Sequence, residues 1–286
     1  MNEADFIAAL RGLPLHAGAR GLEDDCAVLE FGNETLILNH DAMAEGSHFR
    51  PDADMTDVAW KLVASNLSDL AAKGAEPIGV LVGHCLNPDN TGFVKGLREA
   101  LEAFDVKLLG GDTIATEAQR VFGLTAIGRA THTPVPARGG AQLGNAIYVT
   151  GTLGRAMLGY EGDPRHLHAF NRPIPRLREG RALAPHITAM MDVSDGLLLD
   201  AHRMACASVD AAFELESSAI PVADPPRTDE CLRWGDDYEL LFTAPPETSL
   251  PVEATRIGTV TAAGLAALWL DGEALTDPTS LGYQHG

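Results

Sequence analysis

The chain lacks most of the signatures that assign a function at sight. No apolar run approaches the roughly 18 residues a membrane-spanning helix requires, so no span is expected. The opening MNEADFIAALRGL has no basic segment followed by an apolar one, so no secretory leader is expected and the expected location is the cytoplasm. Cysteine is scarce: Cys26, Cys85, Cys206 and Cys231 lie far apart with no CxxC pair, which excludes a zinc-ribbon or disulfide framework and predicts four buried thiols. The phosphate loop GxxxxGK[ST], the dinucleotide fingerprint GxGxxG and the nucleophile elbow GxSxG are all absent. Basic residues are few, 21 Lys and Arg against 40 Asp and Glu, for a net charge of −19. Such a surface repels nucleic acid and anionic membranes. It can still receive a phosphorylated ligand, provided that divalent cations bridge the two.

What is present is a 286-residue chain, 45% hydrophobic and 21% charged, in which strands alternate with helices. The length suits two domains or one large α/β unit. ETLILNHD (34–41) reads as a strand ending at Asp41, and 56–77 carries a helical period, with apolar positions 58, 59, 62, 63, 67 and 70 and with Gly74 and Pro77 as stop signals. PIGVLVGHCL reads as a strand, NTGFVKGLREALEAFD as an amphipathic helix, VKLLGGDT as a strand entering a glycine turn, and RVFGLTAIGRA as another strand. The Pro- and Gly-rich THTPVPARGGAQLGN (131–145) marks a junction, dividing the chain into 1–138 and 139–286. The second part opens on the strand AIYVTG and passes through an irregular stretch around EGDPRHLHAFNRPIP. It then gives a helix in DGLLLDAHRMACAS, strands in YELLFTAPP and ATRIGTVT, and a hairpin with an Asp-Gly turn in LAALWLDGEAL.

Aspartates crowd at the borders of these elements: LEDDCAVL (22–29), MDVSDGLLLD (191–200) and WGDDYELLF (234–242). Any single one can be a helix cap or a turn residue. Asp195 or Ser194 can cap the helix that follows, and Asp236 and Asp237 can form a turn. Asp69 is harder to dismiss, because a helix C-terminus disfavours an anion, although Lys73 four residues on can compensate it. Together Asp24, Asp25, Asp41, Asp69, Asp112, Asp192 and Asp195 exceed what caps and turns explain. Shared Mg²⁺ is the economical explanation: hard oxygen ligands suit that ion, which commonly joins carboxylates to substrate phosphates. Gly110 and Gly111 in LLGGDT leave the backbone open to a phosphate. His48 is either a ligand-binding side chain or a half-buried structural one, and Arg138 either clamps phosphate or is solvated.

In this order, EDDCAVL, HDAMAEGSHF, NLSDLAAKGAEP, GGDT, MDVSDGL and GDDYELLF resemble the thiamine-monophosphate kinase family, within the superfamily of aminoimidazole ribonucleotide synthetase and selenophosphate synthetase. The resemblance runs from about residue 20 to the C-terminus. It implies a two-domain α/β (α+β) fold: an N-terminal domain that binds ATP and Mg²⁺ and pairs its sheet in a homodimer, and a C-terminal α/β domain. It implies transfer of the γ-phosphoryl of ATP to thiamine monophosphate, using several Mg²⁺ ions and no phosphoenzyme. By motif match, Asp25, Asp41, Asp69, Asp112, Asp192 and Asp195 would be metal ligands, with Asp112 and Asp195 central to catalysis. Gly111, Asp112, Arg138 and Ser194 would contact ATP, and His48, Asp236 and Tyr283 would line the thiamine phosphate pocket. The chain departs from the family pattern at Asn39-His40, at Glu23, in WGDDYEL and in the terminal GYQHG.

Overall fold

The computed structural model describes residues 3–86, 88–115 and 118–284. Helix α1 (Glu3–Leu10) precedes the hairpin of β1 (Ala27–Phe31) and β2 (Glu34–Ala44). Then come α2 (Met55–Ala72), β3 (Ala75–Cys85), α3 (Asn90–Ala103), β4 (Lys107–Ile114) and β5 (Val121–Ala130), in a sheet of order β1-β2-β5-β3-β4. β3 and β4 are parallel and α3 is their crossover, since parallel neighbours cannot be joined by a tight turn. β5 returns antiparallel between β2 and β3.

The second sheet is built from β6 (Ala146–Val149), β7 (Ala189–Asp192), β8 (Ala211–Leu215), β9 (Leu240–Ala244), β10 (Thr255–Ala262), β11 (Leu268–Leu270) and β12 (Glu273–Leu275). Its order is β12-β11-β8-β10-β6-β9-β7, antiparallel except where β11 meets β8. Helices α4 (Arg155–Tyr160), α5 (Leu167–Asn171), α6 (Leu177–Leu183), α7 (Leu197–Ala207) and α8 (Thr228–Arg233) connect these strands. The Asp271-Gly272 pair turns β11 into β12 with φ of 52° and 82°, the left-handed pair such a turn needs.

Helix α2 ties the two halves together. Asp54 caps it, accepting from the Thr56 amide at 2.8 Å. Its apolar residues share one core with Phe122 and Leu124 of β5, Leu183 of α6 and Met190 of β7. The sequence pattern suggests one buried face, yet every α2 residue except Asp57 is buried. The polar positions are enclosed from both halves: Asn66 and Asp69 accept from Asn39 of β2, and Ser68 donates to Asp192 of β7.

Several local expectations need correction. β2 continues past Asp41 to Ala44, with Asp41 opposite Leu124 of β5, so this aspartate lies within a strand. Gly110 and Gly111 lie inside β4, where the sheet approaches so closely that a Cβ on Gly111 would come within 2.0 Å of the Val82 carbonyl oxygen. The stretch after residue 160 contains α5 as well as loop. Cys26, Cys85 and Cys231 are buried, but Cys206 is exposed on α7. Of GYQHG, the last two residues lie outside the described chain.

Candidate active site

The acid-rich segments meet in one cleft of about 1070 Å³ between the two halves of the chain. Asp41 reaches it from β2, Asp69 from the last turn of α2, Asp192 from the end of β7, and Asp24 and Asp25 from the segment before β1. The loop after β7 is fixed by backbone pairing: Asp236 N donates to Ser194 O at 2.8 Å, and Tyr283 N to Asp195 O at 2.9 Å. Gly235 and Gly282 permit this closeness, because a Cβ on either would stand 2.1 or 2.2 Å from the carbonyl oxygens of Ser194 and Asp195.

Carboxylate oxygens of Asp25, Asp69 and Asp192 lie within 4.8 Å of one another. Two ionised carboxylates at such a distance repel by about 3 kcal/mol at an effective dielectric of ~20. The protein answers each charge differently. Burial pushes the Asp25 carboxyl up, but the Lys73 ammonium and the Arg138 guanidinium outweigh that and hold it at about 2. At Asp69 repulsion prevails: burial, then the charges of Asp41 and Asp192, push it well above the ordinary carboxylate range, and the Lys73 charge offsets only part of this. Burial, and next Asp25, raise Asp192 to about 8, while the Ser68 hydroxyl donates to it at 2.5 Å. Burial also raises Asp41, which shares a hydrogen bond with Asp69. This oxygen-only donor set fits a hard divalent cation, which would replace both the shared protons and the mutual repulsion.

The remaining expected residues fall into three groups. Arg138, Ser194 and Asp195 line the same cleft, as do His48, Asp236 and Tyr283. Arg138 pairs with Asp25, and its buried Nε has no hydrogen-bond partner among the described residues. Asp195 pairs with Arg203. Gly111 and Asp112 stand apart: they are exposed on the edge strand β4 and are not among the residues lining the cleft of their own chain.

Two expectations drawn from helix logic differ from the structure. Lys73 does not pair along the helix with Asp69. It is fully buried, and its ammonium meets Asp24 at 2.5 Å and Asp25 at 3.3 Å, because its position just past the end of α2 aims it at the segment before β1. Neither Ser194 nor Asp195 caps α7 through its side chain. Gly196 occupies the cap position, and buried Asp200 instead accepts from the Ser194 and Asp195 amides at 3.0 Å each. Residues the motif reading did not assign also shape the site. Asn39 donates to Asp69 at 2.7 Å, and Asn66 accepts from the Asp41 amide at 3.1 Å, so the unusual Asn39 orients the cluster. Lys61, Asn66 and Ser68 carried one available signal, being polar residues within an otherwise apolar helix.

The site's protonation gives a testable sign. Between the ordinary carboxylate range near 4 and about 8, folded Asp192 retains a proton that the unfolded chain has released. The folded state then binds more protons, so this group's contribution makes stability fall as pH rises across that window. The metal-free protein should melt lower at pH 8 than at pH 6, and Mg²⁺ should raise the melting temperature more at pH 8, where protons compete less. Differential scanning fluorimetry at the two pH values checks this; an equal Mg²⁺ shift at both would contradict it.

Comparison with known proteins places this architecture. Residues 23–130 match the family model of the AIR synthase related protein, N-terminal domain. The thiamine-monophosphate kinase of Salmonella typhimurium is 35% identical over 255 residues, covering 79% of this chain and 76% of its own. That of Methanospirillum hungatei is 33% identical over 273 residues, covering 91% and 92%. The chain belongs to the thiamine-monophosphate kinase family. Among solved structures, AaThiL complexed with AMPPCP and TMP matches with a TM-score of 0.88 at 26% identity, over 100% of this chain and 97% of that one.

Proposed function

We propose that this protein transfers the γ-phosphoryl group of ATP to thiamine monophosphate, giving thiamine diphosphate and ADP. The observation that carries the reading is the joining, in one cleft, of a buried oxygen-donor cluster with His48, Asp236 and Tyr283. At about 1070 Å³ the cleft exceeds the usual volume for a single small ligand, which suits two substrates side by side. The likeness to a relative solved with AMPPCP and TMP together supports the same pairing.

Phosphoryl transfer mostly requires positioning and charge neutralisation. Here the new bond joins the γ-phosphorus to an oxygen of the acceptor's phosphate, and the bond to the β-phosphate oxygen breaks. An acceptor phosphate is already ionised near neutrality, its second pKa being about 6, so no strong general base is needed. That agrees with a cleft rich in aspartate. When bound, Mg²⁺ supplies the positive charge that the phosphoryl oxygens need. Asp25, Asp41, Asp69, Asp192 and Asp195 would hold the ions. Arg138, through its unpartnered Nε, and Ser194 would meet ATP. Nδ1 of His48 accepts from the Ala44 amide at 3.1 Å, which places the ring proton on Nε2 and orients the imidazole in the cleft, where it would meet the acceptor.

The exposed edge of β4, with Leu108, Leu109 and Ile114 each more than half exposed, is the surface through which a homodimer would form. Gly111 and Asp112, on that edge, would act at the assembled site, Asp112 as a metal ligand beside ATP. The reading further takes 1–138 as the ATP- and Mg²⁺-binding domain, 139–286 as the C-terminal domain, and the cytoplasm as the location.

ADP release measured with thiamine monophosphate, with thiamine and without acceptor tests the assignment. Release that depends on the monophosphate supports it; equal release in all three samples contradicts it. His48→Ala should raise the KM for thiamine monophosphate about tenfold, the size of one lost hydrogen bond to a charged group, and leave that for ATP within about twofold. Equal changes in both KM values would remove His48 from the acceptor wall.

A further inference from the structure

We propose that Lys61 is the positioning residue of the acceptor wall, setting the separation of His48 and Asp236 and thereby the fit of the phosphate acceptor. The inference rests on the thiamine monophosphate reading and deepens it. Lys61 comes from the second turn of α2, and its side chain is only 4% exposed. Its ammonium donates to Asp236 Oδ2 at 2.7 Å and to the His48 carbonyl at 3.3 Å, and it lies 3.9 Å from the centre of the Phe170 ring. Those three partners come from distant parts of the chain, and all of them line the cleft. One buried cation therefore joins three segments that line the cleft.

The wall has a physical need for such an anchor. Asp236 and Tyr238 both hold left-handed backbone, with φ of 65° and 51°, a conformation that side-chain-bearing residues adopt only when surrounding contacts fix it. The contacts are visible: the Tyr238 hydroxyl donates to Asp236 Oδ1 at 2.9 Å while Lys61 takes the other oxygen. Both oxygens of Asp236 are thus oriented by the protein. Lys61 also holds the His48 carbonyl, and the Ala44 amide holds the imidazole. The Lys61 ammonium is committed to a carboxylate, a carbonyl and a ring face. It consequently acts through His48 and Asp236, and its loss should reach the acceptor and spare ATP.

The test uses the full chain with Lys61→Met, Asp236→Asn and the two combined, reading KM for each substrate and the melting temperature. Lys61→Met should raise the KM for thiamine monophosphate about tenfold or more, as expected when a charged hydrogen-bond partner is removed, while that for ATP stays within about twofold. The double variant should show less than the product of the two single effects, the mark of residues that work through one another. Should Lys61→Met fail to fold, Lys61→Gln, which keeps an N–H donor, is read the same way and should give a smaller rise confined to the acceptor. Unchanged KM values, equal rises for both substrates, or fully multiplicative single effects would overturn the assignment. Absence of thiamine diphosphate from the wild-type reaction would instead overturn the functional reading beneath it.

Discussion

Asp192→Asn is expected to lower turnover by about a thousandfold, roughly 4 kcal/mol of transition-state stabilisation, while leaving the metal-free protein as stable as the parent or more so. The opposite directions come from one cause. Asp192 is buried at the end of β7, where burial and the charge of Asp25 raise its carboxyl to about 8. A neutral amide of the same shape removes that repulsion and keeps an oxygen able to accept from the Ser68 hydroxyl. It also removes an anionic donor from a cluster whose oxygens lie within 4.8 Å. A residue needed only for packing would lose stability first. Steady-state rates and melting curves, taken together, separate the two possibilities. Near-normal turnover, or a melting temperature well below the parent's, would contradict the metal assignment.

Lys73→Met should have the largest effect on stability, about 3–5 kcal/mol, the range for breaking a buried ion pair from one side. At this chain length that corresponds to a fall in melting temperature of about 10 °C. Lys73 is fully buried and bridges the halves, its ammonium meeting Asp24, Asp25 and, at 3.4 Å, the Met190 carbonyl on β7. Arg20 also holds Asp24, at 2.6 Å, and Arg138 pairs with Asp25, but among the described residues Lys73 alone meets both aspartates. The pH dependence carries a matching sign. Asp25, held at about 2, adds stability above its unfolded value near 4, and that stability disappears as pH falls through about 2. Removing Lys73 should shrink this acid-labile part. Chemical denaturation at neutral and acid pH checks both statements; a change in midpoint too small to measure would contradict them.

These effects indicate which parts of the molecule could be read in the sequence. The alternation of apolar strands and periodic helices gave the architecture, because burial against a core imposes those periods. Asp25, Asp69 and Asp192 were legible as a group, since carboxylates placed against apolar segments are costly unless something compensates them. The compensating partners were not legible. Lys73 was read along its own helix, whereas its ammonium reaches a segment nearly fifty residues earlier. Asp200 was visible at the end of MDVSDGLLLD, but its role depends on a turn that folds two amides back onto it. Lys61 meets Asp236 only because α2 is enclosed between the two halves. Side-chain periodicity reports one buried face, and an element buried on all sides carries its polar contacts where that pattern is silent. Asp112 is the reverse case: its motif is plain, yet it sits on the exposed edge strand β4 and is not among the residues that line the cleft.

The most direct test of the account is chromatographic analysis of the product formed from ATP and thiamine monophosphate, with Mg²⁺ and with the metal chelated. A parallel sample replaces the monophosphate with thiamine. Thiamine diphosphate is expected only when both the monophosphate and Mg²⁺ are present. Thiamine diphosphate formed equally well under chelation, or none formed under any condition by the folded protein, would contradict it.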